Sequence, residues 1–302
     1  MTPTPPKRYD TPPKSASTLD VRLRNIIQAD YGGLGRVEQR LRREVAGIIL
    51  GQLLLRVRDG EGDPVFLIKG GVAMSMRLGL RSRATKDYDV ACRIEIEPAL
   101  DLLRDEMVDG WGPFTFTFVQ DEPQPIHDTG AVRIDIRETF GDNQRVPWAR
   151  VQLEISESEG QAGQEFEMTS SRLLELDRLG LDAPREMPLV TVAYLIAQKL
   201  HACTDHSNPD RLNDRYRDLI DIQLLEPSID ADELLRIKSA CEEIFGLREK
   251  HDWPPTITVV DGWEAGYKRM AEEMGFAVTD VHEAKTRVDE FVKRVQEAEP
   301  TA

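Results

Sequence analysis

The chain has 302 residues, 40% of them hydrophobic and 31% charged, the balance of a globular protein with enough apolar material for a real core. Three cysteines (Cys92, Cys203, Cys241) without CxxC spacing argue against a zinc knuckle or a disulfide framework and read as reduced thiols. The longest uncharged stretch, Met187 to Gln198, is far short of the ~20 residues of a membrane helix, and the proline-rich start lacks a signal-peptide core, so a cytoplasmic protein with no membrane partner is expected. The net charge of −15 speaks against nucleic acid as a partner, yet it is unevenly spread. Residues 1–94 hold 17 Lys and Arg against 10 Asp and Glu; the rest hold 22 against 44. The first third is suited to meet anions, unless cations such as Arg40, Arg42 and Arg43 are simply the solvated face of a helix.

In chain order, residues 1–17 carry five prolines and read as a mobile tail. Apolar residues recurring from Val37 to Arg58 at 3–4 spacing predict a long amphipathic helix, broken by the Gly60–Pro64 segment. Val65–Ile68 reads as a short buried strand ended by Lys69-Gly70-Gly71, Tyr88–Ile94 as a second strand and Pro98–Val108 as a helix. Phe114, Phe116 and Phe118 alternate with threonines as a strand does, and 131–136 and 151–155 could form a long hairpin. Beyond about Asp177 helices dominate: Leu189–Cys203, Asp214–Leu225, Ala231–Phe245, Trp263–Met274 and Val281–Val295. In the last of these, Val281, Ala284, Val288, Phe291, Val292 and Val295 share one face. The expected organisation is the tail at 1–17, an α/β domain at 18–180 and a helical domain at 181–302.

The chemistry concentrates between Lys69 and Asp89. A strand runs into two glycines, a short helix follows, and the next strand opens with Asp87-Tyr88-Asp89. Consecutive glycines let backbone N–H groups approach a phosphate. Strand alternation turns Asp87 and Asp89 to the same side, and two adjacent carboxylates suit Mg²⁺ (or Mn²⁺) together with substrate phosphates. Lys69, Arg77, Arg81, Arg83 and Lys86 supply charge suited to a triphosphate; Arg77, Arg83, Lys86 and Lys199 are expected to line one cleft with the acids. Ser75 is placed to donate to a phosphate, or is a helix-surface serine. Downstream, Lys199 is the only charged residue between Glu186 and Asp205 on a mostly apolar helix, so it needs an anion, either a nucleotide phosphate or a structural carboxylate. Asp218 and Asp221, three apart on a helix, either join the site or pair with Arg211, Arg215 or Arg217 to hold helices together. His201 reads as a helix-face residue, and the four tryptophans as core.

Gly70-Gly71, Arg77 and Thr85-Lys86-Asp87-Tyr88-Asp89 resemble motif I of the DNA polymerase β-type nucleotidyltransferase superfamily, and more narrowly the AbiEii/MenT group of nucleotidyltransferase toxins. Ala197-Gln-Lys199-Leu-His-Ala202 is similar to that group's Lys-bearing helix, and Arg217-Asp218-Leu-Ile-Asp221 to its later Arg-Asp-x-x-Asp helix. Gly71 replaces the serine of many superfamily members but agrees with the toxin group. The resemblance implies an α+β fold, a polymerase β-type mixed sheet with flanking helices followed by a helical half. It implies a Mg²⁺-dependent nucleotidyltransferase acting on NTP, with Asp87, Asp89 and a third carboxylate as metal ligands. Glu154 is preferred as the third, with Asp135 the alternative. Lys69, Gly70, Gly71, Ser75, Arg77 and Lys199 would bind the nucleotide, and Lys199, Asp218 and Asp221 would complete the catalytic set. It further implies transfer to the 3′ end of tRNA and a cognate antitoxin as partner. The competing readings are transfer to a small molecule or a protein, and a non-catalytic nucleotide- or RNA-binding module.

Overall fold

The computed structural model describes residues 7–32, 35–126, 129–141, 146–171, 174–207 and 213–300. It divides into two compact units. Unit 1 comprises Met1–Leu80, Ala84–Ser158 and Phe166–Leu189; unit 2 comprises Arg81–Arg83, Glu159–Glu165 and Val190–Ala302. The helical unit thus begins about nine residues later than the expected boundary at 181 and recruits two short segments from the earlier half.

Unit 1 opens with helix α1 (Ala16–Tyr31), capped by Ser15, whose hydroxyl accepts from the Thr18 N–H at 3.2 Å. No helix was expected here. Residues 7–15 are tied down instead of loose: the Tyr9 N–H donates to the Arg178 carbonyl, Pro13 is buried, and the Arg22 guanidinium donates to the carbonyls of Thr11 and Leu179. Backbone acceptors thus do the work that apolar side chains do elsewhere, and a composition count does not register them. Residues 1–6 lie outside the described residues.

Helix α2 (Gly35–Leu54) follows, with Leu41, Val45, Ile48, Ile49 and Leu53 buried at the predicted spacing. Strand β1 (Phe66–Ile68), helix α3 (Gly70–Leu78), strand β2 (Asp87–Cys92) and helix α4 (Ile96–Asp109) come next. The remaining strands are β3 (Phe114–Phe118), β4 (Gln124–Pro125), β5 (Val132–Phe140), β6 (Ala149–Glu157), β7 (Phe166–Thr169) and β8 (Met187–Val190). They form one mixed sheet in the order β3-β5-β6-β2-β1-β8-β7, with β4 also on β5. The β5–β6 hairpin is antiparallel, whereas β2 runs parallel to β6 and antiparallel to β1, and β1 runs parallel to β8. Strands β2, β5 and β6 alternate where they pair: Tyr88, Val90, Ile134, Ile136, Leu153 and Ile155 are buried on one face, while Asp87, Asp89, Arg133, Asp135, Gln152 and Glu154 lie half-exposed on the other; the ends of β2 and β5 are buried on both faces. One pleat therefore supplies both the core and the polar platform.

Strand β8 corrects the sequence reading, which ran a helix from Leu189. Met187–Val190 is buried at every position, and such a short apolar run has no periodicity to separate strand from helix. The helix that follows, α5 (Val192–Thr204), starts where the Thr191 hydroxyl accepts from the Tyr194 N–H. Unit 2 continues with α6 (Tyr216–Leu225), α7 (Ala231–Arg248), α8 (Trp263–Met274) and α9 (Val281–Gln296). Asp230 and Asp280 cap α7 and α9, accepting from N–H groups at 2.8–2.9 Å. The six apolar residues predicted for one face of α9 are all buried. Among the described residues no helix is long and apolar enough to cross a membrane.

Candidate active site

In unit 1, Lys69 joins β1 to α3 in extended conformation, and its N–H donates to the Asp89 carbonyl at 2.9 Å. Gly70 then turns into the left-handed region with φ +60°, and a Cβ there would stand 2.1 Å from Asp89 Oδ2. The Asp89 carboxylate therefore rests against the first residue of α3, a place no side chain can share. At Gly71 a Cβ would come within 2.7 Å of Thr85 Cβ and Oγ1. The paired glycines are thus fixed by two specific neighbours, both in the segment that carries the acids. The helix start they open directs backbone N–H groups and the positive dipole end to the carboxylate side of the sheet.

The pairing register organises the acids into rows. Asp89 on β2 lies opposite Glu154 on β6, which lies opposite Arg133 on β5; Asp87, Gln152 and Asp135 form the next row. Glu154 is therefore the direct neighbour of Asp89, and Asp135 stands one strand farther off. Glu154 is not a bare carboxylate: Arg133 donates to its Oε1 from Nε at 3.0 Å and from Nη2 at 2.5 Å. Asp135 stands 3.5 Å from Arg150 Nε. Among the described residues no three His, Cys, Asp or Glu side chains are gathered so as to hold a metal ion. The expected three-ligand set is therefore not assembled. The donor chemistry of Asp87 and Asp89, two hard oxygen ligands on one exposed strand face, fits a divalent cation that fills its remaining sites with phosphate and water. Arg133 was missed in the sequence, although its two-residue spacing from Asp135 already places it on the acid face.

Other expected contributors are placed as follows. Lys69 Nζ donates to Ser156 Oγ at 2.5 Å, two residues beyond Glu154 on the same strand face. The Arg77 guanidinium, 10% exposed, donates to Glu167 on β7 at 2.7 Å. Ser75 is fully buried and hydrogen-bonds Glu44 on α2, so it belongs to the contact between α2 and α3 and is neither a surface serine nor a phosphate donor. Lys86 is exposed beside Asp87. One buried group had no forecast. Glu138 on β5 is 0% exposed, neither of its carboxylate oxygens has a hydrogen-bond partner among the described residues, and burial pushes its carboxyl well above the usual range.

In unit 2, Lys199 is buried on α5 and its Nζ donates to Asp218 Oδ1 at 3.0 Å and Asp221 Oδ2 at 2.6 Å. Arg83 Nε donates to the same Asp221 oxygen at 3.1 Å. Burial alone would lower the Lys199 pKa, but the two carboxylates outweigh it and the net shift is upward. Asp218 is held below its usual range, burial being overcome by Lys199, Arg215 and Arg83. The anion that Lys199 requires is therefore a pair of aspartates one helix away. Arg217 pairs with Asp214, and Arg211 lies outside the described residues. His201 is no simple face residue: it is buried, meets the Phe245 ring edge-to-face and the His251 ring at a tilt, and its pKa is lowered to about 4 by burial and by Arg248.

Comparison with known proteins agrees with this architecture. Residues 52–294 match the family model described as nucleotidyl transferase AbiEii toxin, type IV toxin–antitoxin system. Among solved structures the fold is similar to MenT4, a nucleotidyltransferase toxin from Mycobacterium tuberculosis H37Rv, with a TM-score of 0.51 and 15% identity over 90% of this chain and 97% of that one. No curated protein matches the sequence. A family match over most of the chain, on a mixed sheet that carries the acidic pair beside a glycine-initiated helix, places the chain in the AbiEii family of nucleotidyltransferase toxins of type IV toxin–antitoxin systems.

Proposed function

We propose that the protein transfers a nucleotide from NTP to the 3′ end of tRNA, so blocking translation, with Mg²⁺ or Mn²⁺ held by Asp87 and Asp89. The observation that carries this reading is the seat of the Asp89 carboxylate against Gly70, which puts the acidic pair at the open N-terminus of α3. Backbone N–H groups of that first turn meet the phosphates, which no side chain at 70 or 71 obstructs. Lys69, reaching β6 beside Glu154, offsets their charge. Asp87 and Asp89 would hold the divalent ion, which would supply charge stabilisation for the transferred group and a lowered pKa for the attacking hydroxyl. Arg133 holds the Glu154 carboxylate in place next to Asp89. Lys199, Asp218 and Asp221 serve by fixing α5 to α6. Family membership implies an antitoxin as partner, and we place the reaction in the cytoplasm, where NTP and tRNA are found.

The test is to incubate the protein with labelled NTPs, Mg²⁺ and total tRNA beside an Asp87→Ala/Asp89→Ala double variant. Label should appear on tRNA with the wild type alone. Label that persists in the double variant refutes the assignment of the acids. Label on a small molecule or a protein moves the acceptor class, and NTP binding without consumption favours a non-catalytic module.

A further inference from the structure

In unit 1 the carboxylate face of the sheet carries more than the acids. Strand pairing lays it out in rows, about 6.6 Å apart along each strand. At one end stands Ser156, which accepts from Lys69. The row of Arg133, Glu154 and Asp89 follows, then that of Asp135, Gln152 and Asp87. At the other end Arg137 on β5 lies opposite Arg150 on β6, with Thr117 of β3 beside Arg137. Arg137 is two residues from Asp135, and Arg150 two from Gln152, so alternation turns both arginines to the side of the acids. The contact agrees: Arg150 Nε stands 3.5 Å from Asp135 Oδ2.

Like charges set directly opposite on paired strands, with Cβ atoms about 5 Å apart, weaken the pairing unless an anion answers them. Asp135 answers Arg150 alone, and the Arg150 side chain is still 57% exposed. Arg137, half-exposed, has no ion pair or hydrogen bond among the described residues. Elsewhere in unit 1 comparable cations are answered: Arg56 by Glu106, Arg77 by Glu167 and Arg178 by Asp30. The unanswered charge thus lies one row beyond Asp87, away from Gly70, whose neighbour is Asp89. With the triphosphate at the Gly70 end, a second anion meets the acids from the arginine end. In nucleotidyl transfer that anion is the acceptor strand, whose last phosphodiester lies one nucleotide from the attacking hydroxyl. We infer that Arg137 and Arg150 bind the phosphodiesters next to the 3′ end of the acceptor RNA and aim its hydroxyl at the Asp87 side of the acidic pair, an inference that rests on the transferase reading above. A guanidinium fork suits a phosphodiester, Thr117 adds a hydroxyl donor, and the contact reads backbone and not base.

The experiment measures fluorescence anisotropy of a 5′-labelled ten-residue single-stranded oligoribonucleotide with a free 3′-hydroxyl against the full chain. Arg137→Gln/Arg150→Gln is compared with wild type and with Arg24→Gln/Arg58→Gln, which removes the same charge from exposed positions elsewhere in unit 1; circular dichroism establishes that each is folded. The first variant should raise the oligoribonucleotide Kd about tenfold and flatten its salt dependence by about 0.7 per lost phosphate contact, while the charge-matched control stays within about twofold. The Kd of each NTP, measured by calorimetry, should stay within about twofold throughout. A second oligoribonucleotide, with neutral methylphosphonate linkages at its 3′ end, locates the contact: wild type and the first variant should bind it equally weakly. Binding of the charged strand that the first variant leaves unchanged overturns the inference, and so does an equal loss in the control. A defect that survives the neutral 3′ linkages overturns it too, as does a loss of NTP affinity, which assigns the arginines to the donor triphosphate. The labelled-NTP assay run in parallel separates the two readings. Wild type that binds through the arginines but labels no RNA sinks the transferase reading alone; wild type that labels RNA while the first variant binds it normally sinks the arginine contact alone.

Discussion

Lys199 is the residue whose removal the structure makes most readable. Its side chain is 7% exposed, and those of Asp218 and Asp221 are 2% and 0% exposed. A Lys199→Met variant keeps most of the packing volume but deletes the cation. Asp221 keeps Arg83 at 3.1 Å, whereas Asp218 is left with Arg215, half-exposed and 3.8 Å away. Breaking a buried ion pair from one side costs about 3–5 kcal/mol, mostly from the charge left behind. That is a large part of a typical stability of about 5–15 kcal/mol. The pH dependence follows from the directions of the shifts. In the wild type Asp218 is held below its unfolded pKa of about 3.9, so its contribution is present above that value and fades as pH falls through the folded one. Lys199 is held above about 10.4, so its contribution is present below that value and fades only as pH rises further. In the variant, burial acts on Asp218 with little opposition and raises its pKa, which creates a penalty that grows as pH rises above about 3.9. Urea unfolding should therefore show a deficit of about 3–5 kcal/mol at pH 7.5 that shrinks at pH 4.5. Asp218→Asn added to Lys199→Met should recover a good part of it at pH 7.5. A deficit under about 1 kcal/mol, or one that does not change with pH, is the behaviour of an exposed pair and refutes the buried network.

Three further outcomes follow from the same kind of reasoning. Glu138→Met should stabilise unit 1 by about 1–3 kcal/mol at pH 8 and by little at pH 4, because a carboxyl with a raised folded pKa loses stability as pH climbs from its unfolded value; equal stability at both pH values in urea titrations contradicts its burial. Gly71→Ala should cost about 1–3 kcal/mol through the 2.7 Å approach to Thr85, and Thr85→Gly in the same chain should relieve part of the loss; chemical denaturation of the two variants checks this, and independent effects of the two changes count against the contact. Arg133→Gln withdraws the partner of Glu154 and removes one positive charge from the Asp87–Asp89 face, so calorimetric Mn²⁺ affinity should rise about tenfold, or about 1.4 kcal/mol; an unchanged affinity dissociates Glu154 from the ion.

What the sequence made legible was whatever periodicity carries. The alternation in β3, β5 and β6 and the apolar stripe of α9 depend on local spacing, and each lies where that spacing placed it. The spacing of Asp87 and Asp89 fixed a shared face for the same reason. Pairing partners are not local. Nothing near Glu154 in the chain says that Arg133, across a hairpin, takes its carboxylate, or that Asp135 sits a strand too far from Asp89. Strand β8 escaped because four buried apolar residues look alike in strand and helix. Helix α1 was legible, since Leu19, Leu23, Ile26 and Ile27 recur at helical spacing and are all buried, but it went unread behind the proline-rich start; what leaves no trace in composition is the anchoring of residues 7–15 by backbone acceptors. Glu138 shows the limit most sharply: its position in an alternating strand predicts burial, but its charge argued that it should not be there.

The uneven charge gains its meaning from where the partners lie. Several of the cations in the first 94 residues are committed within the fold: Arg22 and Arg40 to carbonyls, Arg56 to Glu106, Arg93 to Asp59 and Asp63. Two of those expected to meet phosphate are answered by acids from the later, acidic part, Arg77 by Glu167 and Arg83 by Asp221. The basic excess of the first third is thus partly the counter-charge of the acidic remainder, and counting along the chain separates groups that folding pairs. The charge on the Asp87 face is drawn from a different set: Arg137 and Arg150, set opposite each other by the β5–β6 hairpin and brought alongside by the parallel pairing of β6 with β2. A basic patch is a property of the sheet register here, and both of its cations come from the part of the chain whose net charge is −22.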